Sequence, residues 1–296
     1  MSLEKFSDYL LLEKKYSVHT VTAYKNDIES FHNFLETDYN TETIVKVGYN
    51  IIRQWIVSMV DANISNRSIN RKVSALNSYY KFLIKVGDVK VNPLKTHKAL
   101  KTEKKVQVPF SQVELENVLE TLSDVNDFES ARDKLMVELF YATGIRRIEL
   151  INIKISDLDT RARMLKVLGK RNKERYIPLI ATIVETLEAY LIYRVQLQEI
   201  KDKDFLFLTK RGVKLYETLV YRVINKYFSR ASSKLKCSPH VLRHSFATHL
   251  LNEGADINSV KELLGHSSLA ATQVYTHNSI AELKKVHAKT HPRNID

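Results

Sequence analysis

Ser238 to Leu251 reads S-P-H-V-L-R-H-S-F-A-T-H-L-L, and it opens as a helix should. A serine able to cap is followed by proline at the first helical position, where a missing N–H costs nothing. That start puts His240 at the beginning of the helix and Arg243 one turn later on the same face, beside an N-terminus already favourable to anions. Downstream, Asp256 can cap a second helix, Gly265 can end it, and Ser267 or Ser268 can begin a third that carries Tyr275. His266 then falls in the tight junction between those two helices, close to the same anion pocket.

Upstream, Thr143 to Leu150 reads T-G-I-R-R-I-E-L and Leu168 to Arg175 reads L-G-K-R-N-K-E-R. Ser111 to Leu122 and Ser130 to Tyr141 are predicted helices, the second closed by Gly144, where a left-handed cap is cheap for glycine. The short apolar runs Ile151 to Ile155, Met164 to Leu168 and Arg175 to Leu179 predict a small antiparallel sheet with a tight turn before its last strand. Lys170 lies at or beside that hairpin turn. The first part of the chain is helical by pattern: Leu3, Phe6, Leu10, Tyr24, Ile28, Phe31 and Phe34 recur at three- and four-residue spacing, as do Ile69, Val73, Leu76, Tyr80 and Leu83. Ser17 and Thr20 are candidate caps for the Tyr24 helix, and Ser68 precedes the next run. Between Lys85 and Lys105 the pattern lapses into seven lysines against Asp88 and Glu103, broken by Asn92-Pro93, which reads as a basic linker. The expected organisation is a helical domain over 1–86, a linker over 87–105, and a second domain over 106–296 that is mainly α with a small antiparallel β-sheet.

Composition bounds the partner. A chain of 296 residues has room for about two cores, and 44% hydrophobic with 27% charged residues is the balance of a soluble globular protein. The net charge of +12 and isoelectric point near 9.5 favour a polyanion over an acidic small molecule. One cysteine, Cys237, excludes an internal disulfide framework and any multi-cysteine zinc site. Glu4, Lys5, Asp8, Glu13, Lys14 and Lys15 interrupt the start where a signal peptide needs an apolar run, and no stretch approaches the roughly 18 apolar residues of a membrane span. A cytoplasmic protein without membrane association is expected.

Arg146, Lys170, His240, Arg243, His266 and Tyr275, in that order, supply what breaking and rejoining a phosphodiester without a metal requires. Negative charge grows on two non-bridging oxygens, which the planar guanidinium groups of Arg146 and Arg243 can grip bidentately. Tyr275 can attack and hold the phosphate covalently for later reversal. Lys170, on a hairpin tip, can protonate the departing 5′ oxygen. His240 and His266 can take the phenol proton or bond the phosphate, and the two jobs stay undivided between them. Each residue alone has a duller reading: an ion-pair arginine, a packed tyrosine, or, for Lys170 with Arg171, Lys173 and Arg175, a solvated charge run. His240 and His244 at i, i+4 suggest zinc only until the missing glutamate and missing cysteines are weighed; no metal and no other cofactor is assigned. Glu149 is expected to orient or pair with Arg146, and His244, Ser245, Phe246 and Leu250 to give packing and support.

These phrases, with L-L-G-H-S-S (Leu263 to Ser268) and A-T-Q-V-Y-T-H (Ala271 to His277), resemble the tyrosine recombinases, phage-integrase-like and most of all of the Xer type. The resemblance runs nearly end to end, through Phe6 to Ser17, Thr20, Tyr24, Asp27, Ser68 to Leu83, Asn92-Pro93 and the His291-Pro292-Arg293 close. It implies a SAM-like core-binding domain and a catalytic domain that clamp double-stranded DNA, with Arg146, Lys170, His240, Arg243, His266 and the nucleophile Tyr275 forming a 3′-phosphotyrosyl intermediate. Expected DNA contacts are Lys98, Lys101, Lys104 and Lys105 of the linker, Arg71 and Lys72 of the first domain, and Arg171 and Lys173 beside the hairpin. Protomers would form a homo- or heterotetramer on two recombination sites, with an activating cell-division ATPase as a further partner. The run Ile280, Leu283, Val286 and His287 would form a short helix that packs on its own domain or docks on a neighbour. Arg147 and Ile148 stand where an aliphatic residue and serine are usual, and Arg171 replaces a frequent glycine; neither departure removes a catalytic group. A type IB topoisomerase, or a DNA-binding regulator on the same fold, is the alternative.

Overall fold

The computed structural model describes residues 2–40, 43–103, 108–169, 173–231 and 237–265. Lys104, Lys105, Lys170, Arg171, His266, Tyr275 and the expected helix after Tyr275 lie outside the described residues. The chain divides into two compact units, Met1–Lys105 and Val106–Asp296. Among the described residues no helix is long and apolar enough to cross a membrane.

Among its described residues the first unit has four α-helices: α1 (Ser2–Asp8), continued by a π-helical turn (Tyr9–Glu13), α2 (Val18–Tyr39), α3 (Tyr49–Asp61) and α4 (Asn66–Val86). The Ser17 hydroxyl accepts from the Thr20 amide, so Ser17 is the cap of α2 and Thr20 its partner. Helix α4 starts three residues before the expected point because Ser65, not Ser68, is its cap; the Ser68 amide donates to the Ser65 hydroxyl. The apolar stripe of α2 (Ile28, Phe31, Leu35) meets that of α4 (Ile69, Val73, Leu76, Tyr80, Leu83) in a core that also takes Phe6, Leu10 and Trp55.

The basic stretch after α4 is folded onto it rather than strung free. Asn70 bonds Leu100 twice, donating to its carbonyl and accepting from its amide, both at 2.9 Å. Asn66 donates to the Lys101 carbonyl, Asn92 donates to Asn77, and Leu94 is buried in the core. Polar side chains spaced along one face of α4 therefore satisfy the backbone of this segment, while Lys90, Lys95, Lys98 and Lys101 stay exposed.

In the second unit, α6 (Phe128–Thr143) is buried along nearly its whole length from Ala131 to Thr143. It is walled by α5 (Gln112–Thr121), α8 (Ala181–Val195) and α10 (Pro239–Asn252). Helix α5 carries a full capping box between Ser111 and Glu114. Gly144 closes α6 with φ +58°, and a Cβ there would overlap Phe246 and come within 2.8 Å of Leu264; only glycine fits both the turn and the approach. After α7 (Arg147–Asn152) comes a three-stranded antiparallel sheet in the order β1 (Leu158–Asp159), β2 (Met164–Leu168), β3 (Glu174–Pro178). Its first strand is not the Ile151 to Ile155 run. Ile151 lies in α7, and the extended residues beyond pair with 204–206 instead, the Leu206 amide donating to the Ile153 carbonyl and the Ile155 amide to that of Asp204. Helices α9 (Glu217–Ala231), α10 and α11 (Ile257–Leu264) follow. Asp256 caps α11 by accepting from the Asn258 and Ser259 amides, and Gly265 ends it at φ +63°.

Candidate active site

Three arginines from three elements gather around one carboxylate, two bonded to it and the third within reach of its charge. Arg146 is the N-cap of α7, and Glu149, three residues on, reaches back to accept from the Arg146 amide at 2.7 Å. That is half of a capping box, and it fixes Glu149 beside the arginine that precedes its helix. The same carboxylate accepts from Arg146 Nη1 at 2.8 Å and, bidentately, from Arg175 Nη1 and Nη2 at 3.0 and 2.8 Å. Arg243, buried one turn into α10, donates to the Gly144 carbonyl and to the Leu264 carbonyl, each at 2.5 Å.

The end of α11 is the other half of the site. Its last carbonyls have no partner within the helix, and each accepts from a different arginine: Leu263 from Arg175 Nε at 3.0 Å, Leu264 from Arg243, and Gly265 from Arg146 Nη2 at 3.1 Å. Cations at the negative end of a helix are favourably placed. His266 is the next residue in the chain.

Charge in this cluster does not cancel. Among the described residues two guanidinium groups bond a single carboxylate and a third, Arg243, lies near enough to feel its charge, leaving an excess of two positive charges in a largely buried site. Burial alone would raise the Glu149 carboxyl, but bonds and charge from Arg175, then bonds from Arg146, hold it down at about 2. Burial and the neighbouring Arg146 pull Arg243 down to about 10, against the opposing pull of Glu149, so it stays charged at neutral pH. Arg146 alone of the three keeps substantial exposure, 36% of its side chain.

The expected residues fall into distinct places. Arg146, Glu149 and Arg243 come together. His240 is exposed in the first turn of α10, and Ser238 sits at the N-cap with Pro239 at the first helical position, although its hydroxyl makes no cap bond. His244 does not pack: its place on α10 leaves it exposed, and Ser245, Phe246 and Leu250 fill the core instead. Ser245 ties α10 to the start of the unit by accepting from the Phe110 amide at 2.7 Å. Gly169 and Lys173 close the β2–β3 hairpin with an amide-to-carbonyl bond of 2.7 Å; Lys170 follows Gly169 in the chain, and Lys173 is exposed. In the first unit Arg71 and Lys72 both pair with the buried Asp27, which leaves them one net positive charge. Arg175 is not part of a solvated run: it is 4% exposed. Strand alternation was the signal that could have found it, since Arg175 and the core residue Ile177 share a face while Glu174 and Tyr176 face outward.

Residues 110–282 match the Phage integrase family, and residues 3–87 match its companion, the Phage integrase N-terminal SAM-like domain. The chain belongs to the phage integrase family. Relatives about 40% identical over nearly its whole length, all named tyrosine recombinase XerC, make it a Xer-type tyrosine recombinase, an enzyme of site-specific DNA recombination that works through a tyrosine. It is 41% identical over 295 residues to tyrosine recombinase XerC of Anoxybacillus flavithermus, covering 99% of this chain and 98% of that one. The XerC of Bacillus subtilis is 39% identical over 291 residues, 97% of this recombinase and 95% of the relative. In fold the recombinase is similar to the XerH site-specific recombinase bound to palindromic difH substrate in its post-cleavage complex, with a TM-score of 0.73 at 24% identity over 97% of this chain and 84% of that one. A lambda integrase dimer bound to a COC′ core site shares the fold as well, at a TM-score of 0.69 and 18% identity over 93% and 98% of the two chains.

Proposed function

We propose that Arg146 and Arg243 clamp the scissile phosphate, that Tyr275 attacks it, and that Lys170 protonates the leaving 5′ oxygen. The phenol proton passes to His240 or His266, the phosphorus–oxygen bond to the 5′ carbon breaks, and a 3′-phosphotyrosyl bond forms in its place. Rejoining runs the same steps backward with a 5′ hydroxyl as nucleophile. The observation that carries this reading is the double positive excess around Arg146 and Arg243, gathered at the end of α11 immediately before His266. Guanidinium donors already fixed in place cost no reorganisation when charge develops on the phosphate.

The substrate on this reading is a double-stranded recombination site, contacted by the exposed Lys98, Lys101 and Lys173 and by Arg71, Lys72, Lys104, Lys105 and Arg171. Two pairs of protomers act on two sites. Near-complete coverage of XerC relatives favours chromosome dimer resolution in the cytoplasm over integration of a mobile element, with a cell-division ATPase as activator. Tyr275→Phe removes only the phenolic oxygen, so it is expected to bind DNA like the parent chain and to form no covalent adduct on a nicked site. A denaturing gel decides it; an adduct that persists in the phenylalanine variant overturns the assignment.

A further inference from the structure

Arg175 faces the core from β3, opposite Val167 of β2. Its guanidinium reaches two separate pieces of the site, taking both oxygens of Glu149 and the Leu263 carbonyl. A glycine makes room for it: a Cβ on Gly265 would lie 3.1 to 3.3 Å from Arg175 Nη1, Cδ and Cζ. An apolar pair of similar volume could stabilise the fold as well as a buried ion pair does, so the arrangement calls for a reason beyond stability.

We infer that Arg175 is a positioning residue for strand cleavage, holding the Arg146–Glu149 pair, the base of the Lys170 hairpin and the end of α11 in one register. The inference rests on reading Arg146 as phosphate clamp and Lys170 as acid. Arginine is required because its planar fork serves a carboxylate and a carbonyl in fixed directions at once, which an ammonium group cannot do. Slack in any of the three segments displaces a reacting group, and displacement of about 1 Å can cost on the order of 100-fold in rate.

The test is single-turnover cleavage of a nicked site at saturating DNA, with DNA affinity measured in parallel. Arg175→Met and Arg175→Lys are expected to slow cleavage by about 10- to 100-fold with little change in affinity. Arg175→Met has a further signature. Glu149 is faced by Arg146 from its own helix start, by Arg175 from β3 and by Arg243 from α10, while α9, packed on α7, contributes Glu217, which pairs with Arg147. Removing Arg175 takes away the largest effect opposing burial and leaves only the Arg146 bonds against it, so the carboxyl rises and the ratio of variant to parent rate should fall as pH is lowered. Adding Glu149→Gln to Arg175→Met should abolish that pH dependence.

Full cleavage rate in Arg175→Met, full rescue by lysine, or a rate loss matched by weaker DNA binding overturns the inference. Should the methionine variant fail to fold, the lysine variant carries the same expectation of slow cleavage at unchanged affinity. Arg146→Ala run alongside separates the two readings. A dead Arg146→Ala beside a normal Arg175→Met overturns the positioning role alone, whereas an active Arg146→Ala overturns the clamp and the positioning role with it.

Discussion

Replacing Glu149 by glutamine keeps the shape of the side chain and removes the one negative charge among three arginines. The cost follows from the carboxyl itself. Held at about 2 against an ordinary 4.5, it is better off ionised in the folded chain by about 3 kcal/mol. Because the folded value lies below the unfolded one, that advantage is fully present above about pH 5 and is lost as pH falls toward about 2. Glu149→Gln should therefore destabilise the second unit by about 3 kcal/mol at neutral pH and by only about 1 kcal/mol near pH 3. Urea titrations read by far-ultraviolet circular dichroism would report the helices of both units, so a shift in the second unit appears there and not in tryptophan fluorescence alone. Fluorescence reports the first unit separately, since Trp55 is the single tryptophan and is buried there. Equal stability of variant and parent at neutral pH, or a deficit of the same size at both pH values, would refute the electrostatic reasoning.

Two further expectations concern DNA. Neutralising Lys98, Lys101, Lys104 and Lys105 together should weaken specific and random DNA alike and flatten the salt dependence by about 0.9 in log–log slope for each phosphate no longer neutralised; an unchanged slope in a filter-binding series would remove this segment from the interface. Lys170→Ala should recover cleavage on a substrate whose bridging 5′ oxygen is sulfur, because a thiolate leaves without a proton, whereas equal impairment on oxygen and sulfur substrates would leave Lys170 a phosphate contact only.

Much of the fold was legible where the determinants are local. Ser17, Ser111 and Asp256 cap helices through amides two or three residues away, and Gly144 and Gly265 end helices in a conformation that marks glycine in any sequence. What resisted reading depends on distant partners. The apolar run from Ile151 looks like a strand, but the Glu149 carboxylate that reaches back to Arg146 draws residues 147–152 into a short helix, and the residues beyond bond to 204–206. The lysine-rich stretch after α4 has the composition of a solvated linker, yet Asn66 and Asn70 hold its backbone and Asn77 accepts from the Asn92 side chain. In the site, Arg146, Glu149 and Arg243 were recognisable from flanking phrases, while Arg175 was hidden among charged neighbours. Its burial depends on a carboxylate 26 positions earlier in the chain and on the end of α11, 88 positions later.

On the proposed mechanism, guanidinium geometry and not charge alone stabilises the phosphate as it is cut. Single-turnover cleavage by Arg243→Lys at saturating DNA tests it most directly, because lysine keeps the charge and loses the fork that the Gly144 and Leu264 carbonyls hold in place. The expected result is a rate lower by on the order of 100-fold or more with DNA affinity nearly unchanged. A rate within a few-fold of the parent enzyme would contradict it.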